Sequence, residues 1–281
     1  MTTKKEQVMD MSPNKIKLGN SEEWESFQER HPKLIQKLSA LLRSLHNVFI
    51  REVQASNPSD RVIFFLGRLC VEDFMEIILL CGNGYGIGGM KLLRGMYERA
   101  VTLGYIAKNP EKADQFLEYH HIHAGKHFNH ANQIFQMSKR VTPEQIDEIQ
   151  ESYKRAKEKY KEVICKKCGT TRTRFSWTEL DLASMARVAG LEKLYLQCYY
   201  EPTLQAHATV SSLITRMTVR ENGQISFDED AQRERADLVL IAAHNLMLYI
   251  LQAENDHFSM GLDDEIRERF ADFILIWERK K

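Results

Sequence analysis

The chain has 281 residues, of which 43% are hydrophobic and 28% charged, so it can form a substantial core in one large domain or two small ones. Lys and Arg number 39, as do Asp and Glu, and this balance argues against a large basic surface for duplex DNA or an anionic membrane. The first residues, MTTKKEQVMDM, lack the apolar run of a signal peptide. The longest apolar stretch, 238–251, is too short to cross a bilayer.

The five cysteines are an odd number, which suits a reducing compartment. Together with the missing signal peptide, this count predicts a cytoplasmic protein that has no membrane partner.

Apolar residues recur with a helical period along the chain, and the sequence therefore predicts an all-α fold. Residues 1–20 are polar and are expected to be flexible. Residues 21–281 are expected to form a single, mostly antiparallel bundle-like domain, with a charged helical excursion and a basic loop at 143–176. Asn222-Gly223 is a turn signal and predicts at most one short β-hairpin, near 218–227. The predicted helices cover about 21–31, 32–54, 60–81, 87–107, 111–138, 143–163, 178–188, 191–200, 203–217, 229–254 and 263–279.

Residues 82–89, GNGYGIGG, form the one glycine-rich stretch. A phosphate loop is one interpretation, but no predicted strand precedes the stretch and no Lys-Ser/Thr pair follows at Walker spacing. We expect instead a turn between two helices that lets their backbones approach closely.

The helix predicted at 111–138 carries histidines on the face that contains Phe116. At about 100° per residue, the four histidines all lie within about 40° of Phe116. They are His120, His123, His127 and His130. The alternatives are a structural polar seam or a functional site, and burial would keep the imidazoles in the neutral form that also binds metals.

Two further helices are expected to direct ionisable groups inwards. In the helix 60–81, Asp73 and Glu76 lie on the apolar face, where carboxylates are costly unless they are paired or bind a metal. In the helix 87–107, Arg94 and Glu98 are four residues apart and can pair. These groups suit a buried ion-pair network, an acid–base site or a divalent metal site. In the ion-pair alternative, Arg94 neutralises Asp73, Glu76 or Glu98.

Cys165-Lys166-Lys167-Cys168 has the spacing of half a zinc knuckle, but a structural zinc site needs two more ligands, and no second pair follows at finger spacing. The alternative is a solvent-exposed loop with two incidental thiols. The basic and aromatic residues 170–177 could contact nucleic-acid phosphates, although a solvated loop is the simpler interpretation.

Several short motifs together resemble a widespread bacterial family catalogued as domain of unknown function 5677. The motifs are Leu92–Glu98, Phe116–Tyr119, Phe175–Trp177 with Met185-Ala186, and Tyr195 and Tyr199 leading to His207. The resemblance covers about residues 40–250 and implies an all-α fold without an established activity.

The resemblance also implies recurring polar positions at Arg94, Glu98, Trp177 and His207. Thr203 stands near the place where the family has a serine, which puts serine-based chemistry in doubt. The histidines at 120–130 and the two cysteines look peculiar to this member. A distant likeness to helical defence ribonucleases is not supported, because no histidine follows an arginine at their spacing.

The leading hypothesis is a buried polar site that binds a small ligand or a divalent metal. Its proposed ligand-binding residues are Asp73, Glu76, Arg94, Glu98, His123, His127 and His207, with His120, His123 and His127 or Cys165 and Cys168 as metal ligands. The first rival is a non-enzymatic homodimer whose interface is the histidine face. The second is a nucleic-acid-associated factor in phage defence, which rests on analogy and on the basic residues 166–174.

Overall fold

The computed structural model describes residues 19–228 and 230–278, so the predicted flexible segment 1–20 falls almost wholly outside the described residues. The helices are α1 (Ser21–Arg30), α2 (Pro32–Phe49), α3 (Pro58–Gly82), α4 (Gly86–Lys108), α5 (Ala113–Glu118), α6 (His120–Phe135), α7 (Pro143–Lys159), α8 (Leu182–Ala189), α9 (Glu201–Ala206), α10 (Val210–Ile214), α11 (Arg233–Phe258) and α12 (Asp263–Trp277). The strands are β1 (Lys161–Val163), β2 (Thr171–Thr173), β3 (Met217–Val219) and β4 (Ile225–Phe227). A π-helical turn, Leu196–Tyr200, leads into α9.

The all-α prediction is confirmed, since helices dominate and the strands form only two short antiparallel hairpins. The hairpin expected near 218–227 is present, with Met217 opposite Phe227. A second hairpin pairs Lys161 with Thr173 in the region interpreted as an irregular basic loop. Its strands have three residues each, which is too short for an alternating pattern to stand out in the sequence.

The core is built on α3, α4 and α11, which pack against one another along their lengths. α11 is apolar nearly all round and contributes Leu246, Met247 and Leu248, which have no or almost no exposed surface. By length and composition α11 could cross a membrane, but most of it is buried inside the protein, as is usual for a core helix.

Glycines let α4 begin against its neighbours. A Cβ atom at Gly86 would lie 2.7 Å from the backbone nitrogen of Ala236 and 2.8 Å from the carbonyl oxygen of Gln232, both at the start of α11. Gly84 has a φ of +81° in the turn between α3 and α4, a conformation that favours glycine. The expectation of a close-packing helix–helix turn at 82–89 is therefore confirmed.

We predict that Gly86→Ala destabilises the protein by about 1–3 kcal/mol, because the new methyl group meets backbone atoms that cannot rotate away. Gly88→Ala is the matched control in the same helix. Its Cβ atom would only touch Leu80 and Tyr85 at ordinary distances of 3.5 and 3.6 Å. This control should be neutral or stabilising by about 0.5–1 kcal/mol. Urea unfolding of both variants tests the contrast, and equal stabilities would contradict it.

Asp60 ties the start of α3 to the end of α11. Its carboxylate accepts hydrogen bonds from the backbone N–H groups of Ser56 and Asn57, at 2.8 and 3.0 Å, and from His257 Nε2, at 2.9 Å. Burial alone would raise the pKa of Asp60, but these three hydrogen bonds outweigh it and hold the pKa below its usual value. The same carboxylate thus caps one core helix and anchors another.

α12 is held to the core by a buried hydrogen bond from Trp277 Nε1 to His244 Nδ1, at 3.1 Å. Burial lowers the pKa of His244 to about 4, so its imidazole is neutral at pH 7 and can accept this bond. His244 is therefore a neutral, hydrogen-bonded residue of the core.

Glu254 is the one fully buried carboxyl group in the part of the chain that the structure describes. Neither of its oxygens has a hydrogen-bond partner, and Nη2 of the nearby Arg51 is also buried without one. The Oε1 atom lies 2.6 Å from the position of a Cβ at Gly67, so only glycine leaves room for it on α3. Burial raises the pKa of Glu254 to about 8, against a smaller lowering effect of Arg51, and the carboxyl is mostly protonated at pH 7.

We predict that Glu254 makes the protein less stable as the pH rises from about 4.5 to 8. The folded state holds the proton over this interval and the unfolded state does not, so the stabilisation is complete below about pH 4.5 and lost above about pH 8. The loss is on the order of 3–5 kcal/mol, because each pKa unit corresponds to about 1.4 kcal/mol.

Glu254→Gln keeps the shape and removes the titration. The free energy of unfolding of this variant, measured in urea at pH 5, 7 and 9, should fall less than that of the wild type. Glu29→Gln, on the exposed surface of α1, is the control and should follow the wild type. A wild-type-like decline in Glu254→Gln would contradict the assignment.

Candidate functional site

Arg94 and Glu98 form the expected pair on α4. Arg94 Nε donates to Glu98 Oε1 at 3.0 Å, one helical turn apart. Both side chains reach solvent, with 26% of Arg94 and 43% of Glu98 exposed. The pair therefore lies at the edge of the core rather than inside it, and a solute can approach the guanidinium.

His207 reaches the same guanidinium from a segment 113 positions further along the chain. Its Nε2 atom lies 3.1 Å from Arg94 Nη1. A guanidinium only donates hydrogen bonds, so Nε2 must accept here and the ring proton must be on Nδ1. The sequence interpretation placed Arg94, Glu98 and His207 in one site, and the structure brings these three together.

Tyr199, on the π-helical turn, completes the surroundings of Arg94. The guanidinium carbon lies 5.2 Å from the centre of the Tyr199 ring, within the range of a cation–π contact. Tyr199 packs in turn on Tyr195 and Tyr97, with ring centres 5.3 and 6.5 Å away. Tyr97 is fully buried and donates its hydroxyl to the carbonyl of Leu191 at 2.9 Å.

The π-helical turn carries Tyr199 towards Arg94, and no pattern in the sequence predicts this turn. Such turns are rare and often occur at functional sites. Thr203 closes this one, since its hydroxyl donates to the Tyr199 carbonyl at 2.6 Å. The backbone carbonyl of Thr203 accepts the backbone N–H of His207 at 3.3 Å. Thr203 therefore links the π-helical turn to the segment that carries His207.

Asp73 pairs with Arg99, not with Arg94, which corrects one alternative drawn from the sequence. Arg99 Nη1 donates to Asp73 Oδ2 at 2.5 Å. Burial raises the pKa of Asp73, and the charge and hydrogen bond of Arg99 offset only part of that effect. Arg99 was not predicted as a partner because sequence spacing relates residues within one helix, whereas this pair joins α3 to α4.

Arg99→Met should destabilise the protein by about 1–3 kcal/mol, because it leaves the Asp73 carboxylate, only 12% exposed, without its partner. The double variant Asp73→Asn/Arg99→Met removes the stranded charge and should recover part of the loss. Urea unfolding measures both effects. The pair does not interact if the double variant loses as much unfolding free energy as the single variants Arg99→Met and Asp73→Asn lose together.

Glu76 and the histidines of α6 are not in the site. Glu76, predicted on the buried face of α3, is exposed instead. The prediction that His120, His123, His127 and His130 centre a buried face is also wrong, since all four are exposed. The structure brings neither Asp73 nor Glu98 into a hydrogen bond or ion pair with His123 among the described residues.

The predicted single helix divides at Tyr119 into α5 and α6. α6 buries Ile122, Gly125 and Phe128 instead, roughly opposite the histidines at about 100° per residue. The ring of Tyr153, on α7, packs so close to Gly125 that a Cβ atom at this position would have no room. His123 packs edge-on against Tyr119, with ring centres 5.1 Å apart, and its pKa is lowered by partial burial, Lys126 and His120.

A metal site is not found. Among residues 19–228 and 230–278, no three His, Cys, Asp or Glu side chains are grouped closely enough to hold a metal ion. Cys165 and Cys168 lie at the tip of the hairpin β1–β2. Two thiols alone are too few ligands for a structural zinc site. Whether the exposed histidine face is a homodimer interface stays a prediction.

The basic loop offers little free positive charge to nucleic acid. Arg172 pairs with Glu162 at 2.5 Å, and Arg174 pairs with Glu179 at 3.0 Å. Both guanidinium groups also lie over aromatic rings, those of Phe175 and Tyr160 respectively. Pairing of this kind leaves Lys166 and Lys167 as the exposed cations of the loop between the two cysteines.

Residues 60–225, more than half of the chain, match a protein family described as a family of unknown function (DUF5677). The matched range includes α3, α4, the π-helical turn and His207, and it ends before α11. No curated protein and no solved structure gives a significant match to the chain.

Proposed function

The chain belongs to this family of unknown function, and from that premise we propose that it binds a small oxyanion, a phosphate or a carboxylate, between Arg94 and His207. The observation that carries the proposal is the 3.1 Å contact between Arg94 Nη1 and His207 Nε2. All the residues involved lie inside the range that matches the family.

The contact joins two groups that both suit an anion. The guanidinium uses one N–H for Glu98 and one for His207, out of five, and its planar fork matches the oxygens of carboxylate and phosphate. An oxyanion oxygen that replaced the Arg94–His207 contact would accept a hydrogen bond from Arg94. With the ring proton moved to Nε2, it would accept a second from His207.

Glu98 and Tyr199 keep the Arg94 side chain in one position before a ligand binds. Glu98 accepts from Nε and so helps to direct Nη1 towards His207. The Tyr199 ring supports the guanidinium from one side. A side chain that is already ordered loses less conformational entropy when a ligand binds, which raises affinity.

The Arg94 guanidinium disfavours a metal ion at this site. Glu98 and His207 are the two side chains here that could ligate a metal, and both are hydrogen-bonded to the permanent positive charge of Arg94. A divalent cation at this position would have to displace that charge or face it directly. The divalent metal of the sequence hypothesis is therefore the weaker alternative at this site.

The test titrates the purified protein with phenyl phosphate and, separately, with benzoate. Calorimetry measures the heat of binding in each titration. The two probes share a ring and differ in the anionic group, so they separate a phosphate site from a carboxylate site. We expect one of them to bind, and Arg94→Met to weaken it by about tenfold or more, since a charge-assisted hydrogen bond contributes about 1.5–3 kcal/mol. His207→Gln and Glu98→Gln should weaken it less.

Arg68→Met is the matched control, because Arg68 forms the same kind of pair with Glu72 on α3, at 3.1 Å. It should bind the probe like the wild type. Circular dichroism confirms that each variant is folded. Binding of neither probe, or equal binding by Arg94→Met and the wild type, would overturn the proposal.

A further inference from the structure

The tip of the hairpin β1–β2 brings two thiols together outside the Arg94 site. The backbone N–H groups of Ile164 and Cys165 both donate to the Thr170 carbonyl, at 2.9 and 3.3 Å. Gly169 turns the chain with a φ of +66°. Cys165 and Cys168 therefore lie three positions apart on one tight turn at the tip of the hairpin.

Cys168 has the environment of a reactive thiol. It is exposed, and its Sγ atom lies 2.8 Å from the Thr170 hydroxyl. Hydrogen bonds from the Thr170 hydroxyl and the Cys165 thiol, together with backbone N–H groups, lower the pKa of Cys168 to about 7. A thiol whose pKa is near the ambient pH is close to the optimum for attack on a disulfide.

The other three cysteines differ from this pair. Cys70, Cys81 and Cys198 are buried, and burial raises the pKa of each thiol, to about 12 for Cys81 and Cys198. Buried thiols with a raised pKa are inert, so they serve as internal controls.

We propose that Cys165 and Cys168 form a redox-active dithiol that exchanges with a small anionic disulfide of the glutathione type and closes to an intramolecular disulfide. Lys166 and Lys167 lie exposed between the two cysteines, and their positive charges favour the approach of a disulfide that carries carboxylates. The structure gives the pair no third or fourth metal ligand among the described residues, so closing to a disulfide needs fewer additional groups than binding zinc.

The exchange takes two steps. The Cys168 thiolate attacks one sulfur of the small disulfide, forms a mixed disulfide and expels one glutathione thiolate. Cys165, after losing its proton to solvent, attacks the Cys168 sulfur, breaks the mixed disulfide and expels the second glutathione thiolate. The protein loses two electrons and two protons, and the glutathione disulfide gains both to become two thiols.

The product should be easy to reduce. The two cysteines are three positions apart, so closing the loop constrains little of the chain, and the bond is exposed to attack. We therefore expect a reversible modification rather than a permanent structural disulfide.

The test exposes the folded wild-type protein to oxidised glutathione at pH 7, stops exchange with acid, blocks free thiols by alkylation and maps the peptides by mass spectrometry. We expect a disulfide between Cys165 and Cys168 that an excess of reduced glutathione reopens, with the three buried cysteines alkylated only after denaturation. Cys165→Ser should stop at a stable mixed disulfide on Cys168. Cys168→Ser should react far more slowly.

Thr170→Val tests the geometry separately, because it removes the hydroxyl but keeps the carbonyl that closes the hairpin. It should slow alkylation of Cys168 at pH 7 several-fold and leave the rate at pH 10 nearly unchanged. The proposal is overturned if the wild type forms no disulfide at this pair, if it stops at a mixed disulfide, or if the purified protein holds zinc that both cysteines are needed to retain.

Discussion

The close approach of α3, α4 and α11 is the constraint on which the rest of the structure depends. α4 begins so near the start of α11 that Gly86 faces backbone atoms, and α3 admits the Glu254 carboxyl only because Gly67 has no side chain. With the three helices fixed at these distances, α4 has a defined outer edge. Arg94 and Glu98 lie on that edge, where His207 and the π-helical turn meet Arg94. Arg99 lies on another side of α4, where it reaches Asp73 on α3.

Two sets of polar groups in this protein differ in their environment. At the edge of α4 the charges are paired, ordered and open to solvent, which is the arrangement that recognition of an anion needs. Inside the core, Glu254 and His244 are neutral at pH 7, because burial disfavours their charged forms. The sequence shows both kinds as polar residues in apolar helices and does not tell them apart.

The fold class, most helix positions and the Arg94–Glu98 pair could be predicted from the sequence, because each depends on spacing within one helix. His207 was grouped with Arg94 through a resemblance to a family rather than through geometry. The missed features all depend on contacts between elements. Arg99 is recognised only when α3 is placed beside α4, and Tyr199 only when the π-helical turn is known. The prediction of a buried histidine face was wrong because α6 packs through Ile122, Gly125 and Phe128, on the side opposite the histidines.

The position of α11 has a consequence for how the chain can be divided. The range shared with the family stops at residue 225, whereas the helix that covers the inner faces of α3 and α4 starts at Arg233. A fragment cut at the family boundary would expose those faces to water and would lose His257, which anchors the first turn of α3. The segment that matches the family and the segment that buries the whole core are therefore not the same piece of this protein.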